Sequence, residues 1–213
     1  EAILENPLAL VKWNSSKTYL RDLEQNGMPI VPTLWEQNFD CNKVSHWQQQ
    51  LQSAELVVKP LVGAAAYLTW RISPKTEAHQ VATIAKAHSN NPFMIQRFLP
   101  QISTEGEYSL FYFGGQFSHG ILKCPKPGDF RSQEEYGSQL TAITPERNLL
   151  EAGKRCLSTL TRCGYAVPLY ARIDLIRHQE AIGGFAVMEL ELIEPSLYFN
   201  MHRASATAFA EAV

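Results

Sequence analysis

The stretch from Val187 to Phe199, VMELELIEPSLYF, decides how the rest of the chain is interpreted. In an extended strand successive side chains point to opposite faces, so Glu189 and Glu191 lie on one face with Leu190 between them. Because burying unpaired charge is costly, two acids in such an apolar run need Lys or Arg partners, a shared proton or a metal ion. The alternative is an ordinary half-exposed strand with one solvated face. This stretch alone leaves both interpretations open.

The bulk composition is that of a globular protein with small partners. The 213 residues are 45% hydrophobic and 19% charged, with a formal net charge of -2, which suits one large or two small domains. So small a net charge does not indicate a basic surface for binding nucleic acid, and no apolar run is long enough for a transmembrane helix. We therefore expect a small-molecule substrate, with neither nucleic acid nor a membrane as partner.

Cysteine spacing and the first residue bear on the origin of the chain. The four cysteines, Cys41, Cys124, Cys156 and Cys163, form no CxxC pair, and the last two lie seven residues apart on one predicted helix face. This favours core thiols over a disulfide or zinc site, and a reducing, cytoplasmic environment. The chain starts with Glu1 and shows no basic segment of a signal peptide, so we interpret it as a piece of a longer protein.

Two hairpins and a helix form the clearest predicted elements. Gly114-Gly115 joins two β-rich runs in GEYSLFYFGGQFSHGILKC, and LYARIDLIRHQEAIGGFAVMELELI predicts a second hairpin. A helix is predicted between them at residues 146–163, and others at 15–25, 47–53 and 77–88. The upstream runs ELVVKPL and FMIQRFLP predict strands. This order lacks strict βαβ alternation, so we predict an α+β fold.

The second hairpin predicts a cluster of carboxylates. ARIDLI places Arg172 and Asp174 on one face, and antiparallel pairing sets Asp174 beside Glu189 and Glu191 if the register allows. Three clustered carboxylates suit a hard cation such as Mg²⁺, which commonly binds substrate phosphates as well. Cations at element ends are candidates for phosphate binding, although each alone is more often a solvated surface residue. They are Lys17, Lys59 and Lys123, with Arg131 in the long polar loop as a fourth candidate.

Taken in order, these features resemble the ATP-grasp superfamily, and within it the glutathione-synthetase-like ligases. The motifs that carry the resemblance are Lys17, VVKP, a small-residue loop, MIQRFLP, GEYSLFYF, ILKCP…FR, RIDLI and MELELIEPS. Together they cover nearly the whole chain. The opening NPLALVKWNSSKTYLRDLEQNGMPIVPT and the run that begins QRFLPQISTEGEYSLFYF are most similar to the branch that includes the cyclo-ligase of D-cycloserine biosynthesis.

An ATP-grasp fold is what the resemblance implies, with two α+β subdomains whose antiparallel sheets clasp ATP between them. Residues 1–97 are expected to form its N-terminal part and residues 98–213 its C-terminal subdomain with the metal site. A preceding N-terminal substrate domain is expected to be absent from this chain.

Site roles are implied by the same resemblance, one residue at a time. The residues expected to bind the nucleotide are Lys17 and Lys59 for phosphates, Gln96, Arg97, Phe98 and Leu99 for adenine, and Glu107 for ribose. The residues expected at the γ-phosphate and acyl phosphate are Lys123 and Arg131, with Arg172 as a third catalytic residue. The residues expected to bind Mg²⁺, with Mn²⁺ as an alternative, are Asp174, Glu189 and Glu191. Local substrate contacts are expected from Tyr136, Arg172 and Ser196.

Two positions depart from the family pattern. The loop from Gly63 to Tyr67 has alanines where many relatives carry several glycines. Tight phosphate binding by this loop therefore does not follow from the resemblance. Glu191 stands where the glutathione-synthetase pattern has asparagine, and a glutamate adds negative charge.

An ATP-dependent ligase is the implied function. A carboxylate or carbamoyl-type group of an amino acid, peptide or ureido compound would be activated as an acyl phosphate for attack by an amine, with intramolecular ring closure as a variant. A non-catalytic ATP-binding module and a phosphotransferase that stops at the phosphorylated product are the alternatives. The oligomeric state is open, because the LFYF strand suits either a core or a homo-oligomer interface.

Overall fold

The computed structural model describes residues 4–213, so Glu1, on which the fragment interpretation rests, lies outside the described part. The chain divides into two compact units. We call Val31–Pro100 the smaller unit, and the segment up to Ile30 together with Gln101–Val213 the larger unit. None of the helices between residues 4 and 213 combines the length and the hydropathy that a membrane span needs.

Helices and strands alternate irregularly along the described residues. The helices are α1 (Leu8–Asn14), α2 (Tyr19–Gln25), α3 (Val44–Gln50), α4 (Ala78–Ala87), α5 (Gln101–Thr104), α6 (Arg147–Arg162) and α7 (Ser205–Ala212). The strands are β1 (Thr33–Glu36), β2 (Leu56–Pro60), β3 (Trp70–Ile72), β4 (Phe93–Arg97), β5 (Glu107–Phe113), β6 (Gln116–Cys124), β7 (Gln139–Ile143), β8 (Tyr170–Arg177) and β9 (Phe185–Glu191). This confirms the predicted α+β class.

The smaller unit is built on an antiparallel sheet in the order β1-β4-β2-β3. Its core centres on Trp47 of α3, which is fully buried and meets Phe39 and Phe93 edge to face. Ile84 of α4 and Val58 of β2 belong to the same apolar cluster. Burial of these side chains is the main stabilising term for so small a sheet.

The larger unit is built on an antiparallel sheet in the order β7-β6-β5-β8-β9. Strands β5 and β6 are joined by Gly114 and Gly115, whose φ angles of 53° and 78° suit the tight turn that the sequence predicts. Helix α6 packs against β9 and buries Leu149, Cys156 and Leu160. The two hairpins of this sheet carry most of the candidate site residues.

The segment up to Ile30 joins the larger unit, which differs from the predicted division into residues 1–97 and 98–213. Its contacts with β9 and the residue after it explain the difference. Asn6 Nδ2 donates to the carbonyl of Leu192 at 2.7 Å, and Ile30 forms a parallel bridge with Val187. These contacts join residues more than 150 positions apart, so local sequence patterns carry no trace of them.

Two further expectations are only partly met. The helix predicted at residues 15–25 is confirmed only from Tyr19, where α2 begins, and Lys17 lies in the turn between α1 and α2. All four cysteines are free thiols. Cys156 is buried as predicted, whereas Cys41 is exposed and is not a core thiol.

Candidate active site

Three carboxylates converge on strands β8 and β9. Asp174 pairs directly with Glu189, and Arg172 with Glu191, in the antiparallel register of the two strands. One oxygen from each of Asp174, Glu189 and Glu191 lies within 4.8 Å of the others. The structure therefore brings together the triad that alternation and hairpin pairing predict.

Arg172 links two of these acids from the same face. Its Nε donates to both carboxylate oxygens of Asp174 at 3.1 Å, its Nη2 donates to Asp174 Oδ2 at 2.9 Å, and Nη2 also donates to Glu191 Oε1. A planar guanidinium with several donors suits this forked contact. Arg172 thus offsets charge at the centre of the acidic cluster.

Lys123 and Ser109 complete the surroundings of Asp174. The Lys123 ammonium lies 3.4 Å from Asp174 Oδ1, and the Ser109 hydroxyl donates to the same oxygen. Burial raises the pKa of Asp174, but the charges of Arg172 and Lys123 outweigh it and bring that pKa down to about 2. Asp174 is therefore a carboxylate in the neutral pH range although it is only 2% exposed.

The pKa of Glu191 is shifted in the direction opposite to that of Asp174. Its burial, together with the negative charges of Asp174 and Glu189, raises the pKa of Glu191 to about 7 against the effect of Arg172. Like charges crowded into one site disfavour ionisation of one of them. A cation that binds here would relieve this repulsion.

Glu107, the expected ribose ligand, is buried inside the larger unit, and each of its oxygens accepts a hydrogen bond. Its Oε1 accepts from Lys123 at 3.0 Å, and its Oε2 accepts from the Ser132 hydroxyl at 2.6 Å. Burial lowers the pKa of Lys123, but Asp174 and Glu107 outweigh that effect and hold it above its usual value. The ribose role of Glu107 stays a prediction.

Lys17, an expected phosphate ligand, contacts the acidic cluster. Its Nζ donates to Glu189 Oε1 at 2.7 Å. The turn that carries it is anchored to β9, because Asn14 Nδ2 donates to the carbonyl of Leu190 at 2.8 Å and the Leu190 N–H donates to Tyr19 Oη at 2.9 Å. Sequence reasoning placed Lys17 on a helix and did not predict this contact.

Arg131 and Tyr136 lie together in the loop between β6 and β7. The Arg131 guanidinium forms a forked ion pair with Asp129, with bonds of 3.0 and 2.8 Å, and lies 3.8 Å from the centroid of the Tyr136 ring. The hydrogen bond from Arg131 holds the pKa of Asp129 well below its usual range. The acyl-phosphate role of Arg131 stays a prediction. Ser196, the third expected substrate contact, is exposed beyond β9.

The candidate adenine segment lies at the end of β4 in the smaller unit. Gln96 is buried, and its Nε2 donates to Thr33 Oγ1 at 3.2 Å. The N–H groups of Arg97 and Phe98 donate to the carbonyls of Pro32 and Glu55, each at 3.0 Å. Phe98 and Leu99 are buried, and the Arg71 guanidinium lies 3.8 Å from the centroid of the Phe98 ring. Since those two N–H groups are already engaged, an adenine contact by this backbone would have to use other groups of the segment.

The small-residue loop follows β2, which carries Lys59 as a half-buried residue near its end. Ala65, Ala66 and Leu68 have φ angles of 50°, 52° and 49°. This left-handed region costs an L-residue about 1–2 kcal/mol, whereas glycine adopts it readily. The alanines noted in the sequence thus take the backbone conformation for which glycine is suited.

Substitution of Ala66 by glycine is therefore expected to leave the stability unchanged or to raise it by up to about 1 kcal/mol. Relief of the left-handed conformation offsets the extra chain entropy that glycine brings to the unfolded state. Denaturant unfolding checks this, with Ala82→Gly as the matched control. Ala82 is an exposed residue of α4 in the same unit, and its replacement should cost about 1 kcal/mol. Equal losses in both variants would contradict the interpretation.

Ser109, Ser132 and Asp129 are site residues that sequence reasoning missed. Ser109 could have been predicted from the sequence, because it stands two positions after Glu107 on a predicted strand and so lies on the same face. Ser132 and Asp129 lie in the polar loop and carry no periodic signal. Their roles follow from tertiary contacts alone.

The donor set fits a hard divalent cation. Asp174, Glu189 and Glu191 offer only oxygen atoms, which Mg²⁺ and Mn²⁺ prefer to nitrogen or sulfur. Glu189 and Glu191 are only partly buried, so the cluster is open to a ligand from one side. No other group of three or more His, Cys, Asp or Glu side chains in residues 4–213 has a comparable spacing.

Two antiparallel sheets in an α+β arrangement, with an acidic triad on the last hairpin, agree with the arrangement expected of an ATP-grasp protein. The chain belongs to the family described as prokaryotic glutathione synthetase, ATP-grasp domain, whose pattern matches residues 30–180. The match places the chain among the ATP-grasp ligases.

Individual relatives agree with the predicted branch. The chain is 27% identical over 225 residues to the cycloserine biosynthesis protein DcsG of Streptomyces lavendulae, covering 99% of this chain and 72% of that protein. It matches the crystal structure of D-cycloserine synthetase DcsG with a TM-score of 0.81 at 26% identity, over 98% of this chain and 72% of that one. It is also 30% identical over 141 residues to the glutathione synthetase of Prochlorococcus marinus (strain MIT 9313), covering 64% of this chain and 42% of that enzyme.

Proposed function

We propose that this chain is the ATP-binding and catalytic part of a ligase that activates a carboxylate, or a carbamoyl-type group, as an acyl phosphate and transfers it to an amine. The observation that carries the proposal is the convergence of Asp174, Glu189 and Glu191 around Arg172 in an ATP-grasp fold. A cluster that combines carboxylates with a fixed arginine can bind a metal ion that carries phosphate and, beside it, a reacting carboxyl group.

The proposed reaction has two steps. An oxygen of the substrate carboxylate attacks the γ-phosphorus of ATP, the bond from that phosphorus to the β-phosphate oxygen breaks, and ADP leaves. The amine then attacks the carbonyl carbon, inorganic phosphate leaves, and the proton of the amine is lost to water. Positioning and charge neutralisation supply the catalysis, so no side-chain nucleophile is required.

The residues of the larger unit divide these tasks. Asp174, Glu189 and Glu191 would hold Mg²⁺, which neutralises phosphate oxygens when bound. Arg172 is fixed by Asp174 and Glu191, and we assign it to the oxygen atoms of the activated carboxyl group. Lys123 keeps Asp174 ionised from the interior. Arg131 and Tyr136 are assigned to the substrate side, on the resemblance alone.

The substrate class is proposed from the relatives. Similarity to a cycloserine biosynthesis protein supports an amino acid or ureido compound, with the amine and the acceptor carbon in one molecule as the ring-closing variant. Similarity to a glutathione synthetase supports a peptide as the alternative. We propose that the enzyme acts in the cytoplasm, where ATP is available.

Mg²⁺-dependent binding of ATP is the first expected result. In calorimetric titrations, ATP should bind more tightly with Mg²⁺ than without it, and GTP should bind weakly. Glu189→Gln removes one proposed metal ligand and should weaken Mg²⁺-ATP binding by about 10- to 100-fold. Glu24→Gln, at an exposed acid of α2 in the same unit, makes the same charge change and should bind as the wild type does.

Failure of the folded wild-type protein to bind ATP with Mg²⁺ would overturn the proposal. Equal affinities for the Glu189→Gln and Glu24→Gln variants would remove the acidic cluster from the nucleotide site. Product analysis then separates ligase from phosphotransferase. Both release ADP, but only a ligase forms a product that depends on the amine.

A further inference from the structure

Lys17 is held in place against one of the proposed metal ligands. Its Nζ lies 2.7 Å from Glu189 Oε1, and the side chains of Lys17 and Glu189 are 15% and 28% exposed. On one side of it, Asn14 Oδ1 accepts from the Leu192 N–H at 3.0 Å. On the other side, Tyr19 Oη accepts from the Leu190 N–H. The turn thus keeps the Lys17 side chain within reach of Glu189.

We propose that Lys17 is a positioning residue that couples nucleotide binding to metal binding by exchanging Glu189 for a nucleotide phosphate. This inference rests on the proposed function, because it assigns the acidic cluster to a metal ion and Lys17 to phosphate. One ammonium cannot neutralise Glu189 and a phosphate fully at once. Each partner that Lys17 leaves becomes available to another cation.

Charge repulsion gives the exchange its direction. An ammonium and a divalent cation on the same carboxylate stand a few ångströms apart, and their repulsion is large even at an effective dielectric constant of about 20. Lys17 bound to Glu189 therefore weakens the binding of a metal ion alone. Nucleotide phosphates draw Lys17 away, so the metal ion and the nucleotide bind cooperatively.

The other cations of the cluster are less suited to this exchange. Lys123 is 5% exposed and also pairs with the buried Glu107. Arg172 is fixed by bonds to Asp174 and Glu191. Lys17 is carried on a turn with a long, partly exposed side chain, so it can move at lower cost.

The test measures the binding of Mn²⁺ alone to EDTA-treated protein by electron paramagnetic resonance, and of ATP without metal by calorimetry. Lys17→Met should bind Mn²⁺ about 10-fold more tightly than the wild type and ATP without metal more weakly. Lys12→Met removes the same charge from an exposed residue of α1 and should match the wild type in both. Lys17→Gln, which keeps a polar side chain, provides a second variant, and circular dichroism checks that each is folded.

Unchanged or weaker Mn²⁺ binding in both Lys17 variants would overturn the inference. The proposed function would survive that result if the wild type still binds ATP with Mg²⁺. Absence of ATP and metal binding in the folded wild type would instead overturn both. The two failures are therefore distinguishable.

Discussion

Gly153→Ala is expected to destabilise the larger unit by about 2 kcal/mol, although alanine is the better helix former. A Cβ at Gly153 would lie 2.2 Å from Tyr112 Oη and 2.9 Å from Leu110 Cδ1. Tyr112 and Leu110 are 1% and 0% exposed, so neither can move aside freely. Overpacking costs about 1–3 kcal/mol, and so close an approach to buried side chains lies at the upper end of that range. The gain of about 1 kcal/mol in helix propensity offsets only part of it. Denaturant unfolding measures the loss.

The clash can be tested by removing the atom that causes it. Tyr112 Oη has no hydrogen-bond partner among residues 4–213, so Tyr112→Phe alone should be neutral or stabilising by up to about 1 kcal/mol. In that background Gly153→Ala should cost no more than about half as much, since the nearest atom is gone while Leu110 remains. A Gly153→Ala variant that is more stable than the wild type would contradict the close packing of α6 on β5. If the two substitutions change the free energy of unfolding additively, Tyr112 is not the cause of the Gly153→Ala destabilisation.

Much of the fold is predictable because its main elements are local. The Gly114-Gly115 turn and the alternating strands around it predict β5 and β6, and the structure confirms them. Strand β7 was missed, because it follows a polar loop, pairs only with β6 at the edge of the sheet and buries no complete apolar face. Helix α7 was missed because its small residues give only a weak periodic signal. Edge strands and short helices depend on tertiary contacts rather than on local pattern.

The acidic triad was predictable for a similar reason. Alternation places Glu189 and Glu191 on one face, and the hairpin brings Asp174 to them. The pairings of Glu107 with Lys123 and of Lys17 with Glu189 were not predictable. Both depend on register between strands or on the packing of distant segments. Sequence thus indicates which residues share a face, whereas the structure decides which charges neutralise each other.

Asp174→Asn is expected to lower the free energy of unfolding by about 3 kcal/mol in the presence of EDTA, before any metal or substrate is added. Asp174 is 2% exposed and accepts bonds from Arg172, Lys123 and Ser109. Removal of its charge takes a carboxylate from two buried cations, of which Lys123 keeps only Glu107 and Arg172 keeps Glu191 among the acids named above. Breaking a buried ion pair typically costs about 3–5 kcal/mol, and these remaining pairs favour the lower end of that range. Denaturant unfolding with EDTA checks the prediction.

Glu189→Gln is the matched control for this change, because it also converts a triad carboxylate to an amide. Glu189 is partly exposed and pairs with Lys17, which water can solvate, so its loss should cost no more than about 1 kcal/mol. A stability for Asp174→Asn equal to that of Glu189→Gln would contradict a buried, charge-balancing role for Asp174. If the two differ as expected, loss of activity in Asp174→Asn cannot be ascribed to metal binding alone. Glu189 is then the position at which a loss of Mg²⁺-dependent ATP binding reports on the ligand role itself.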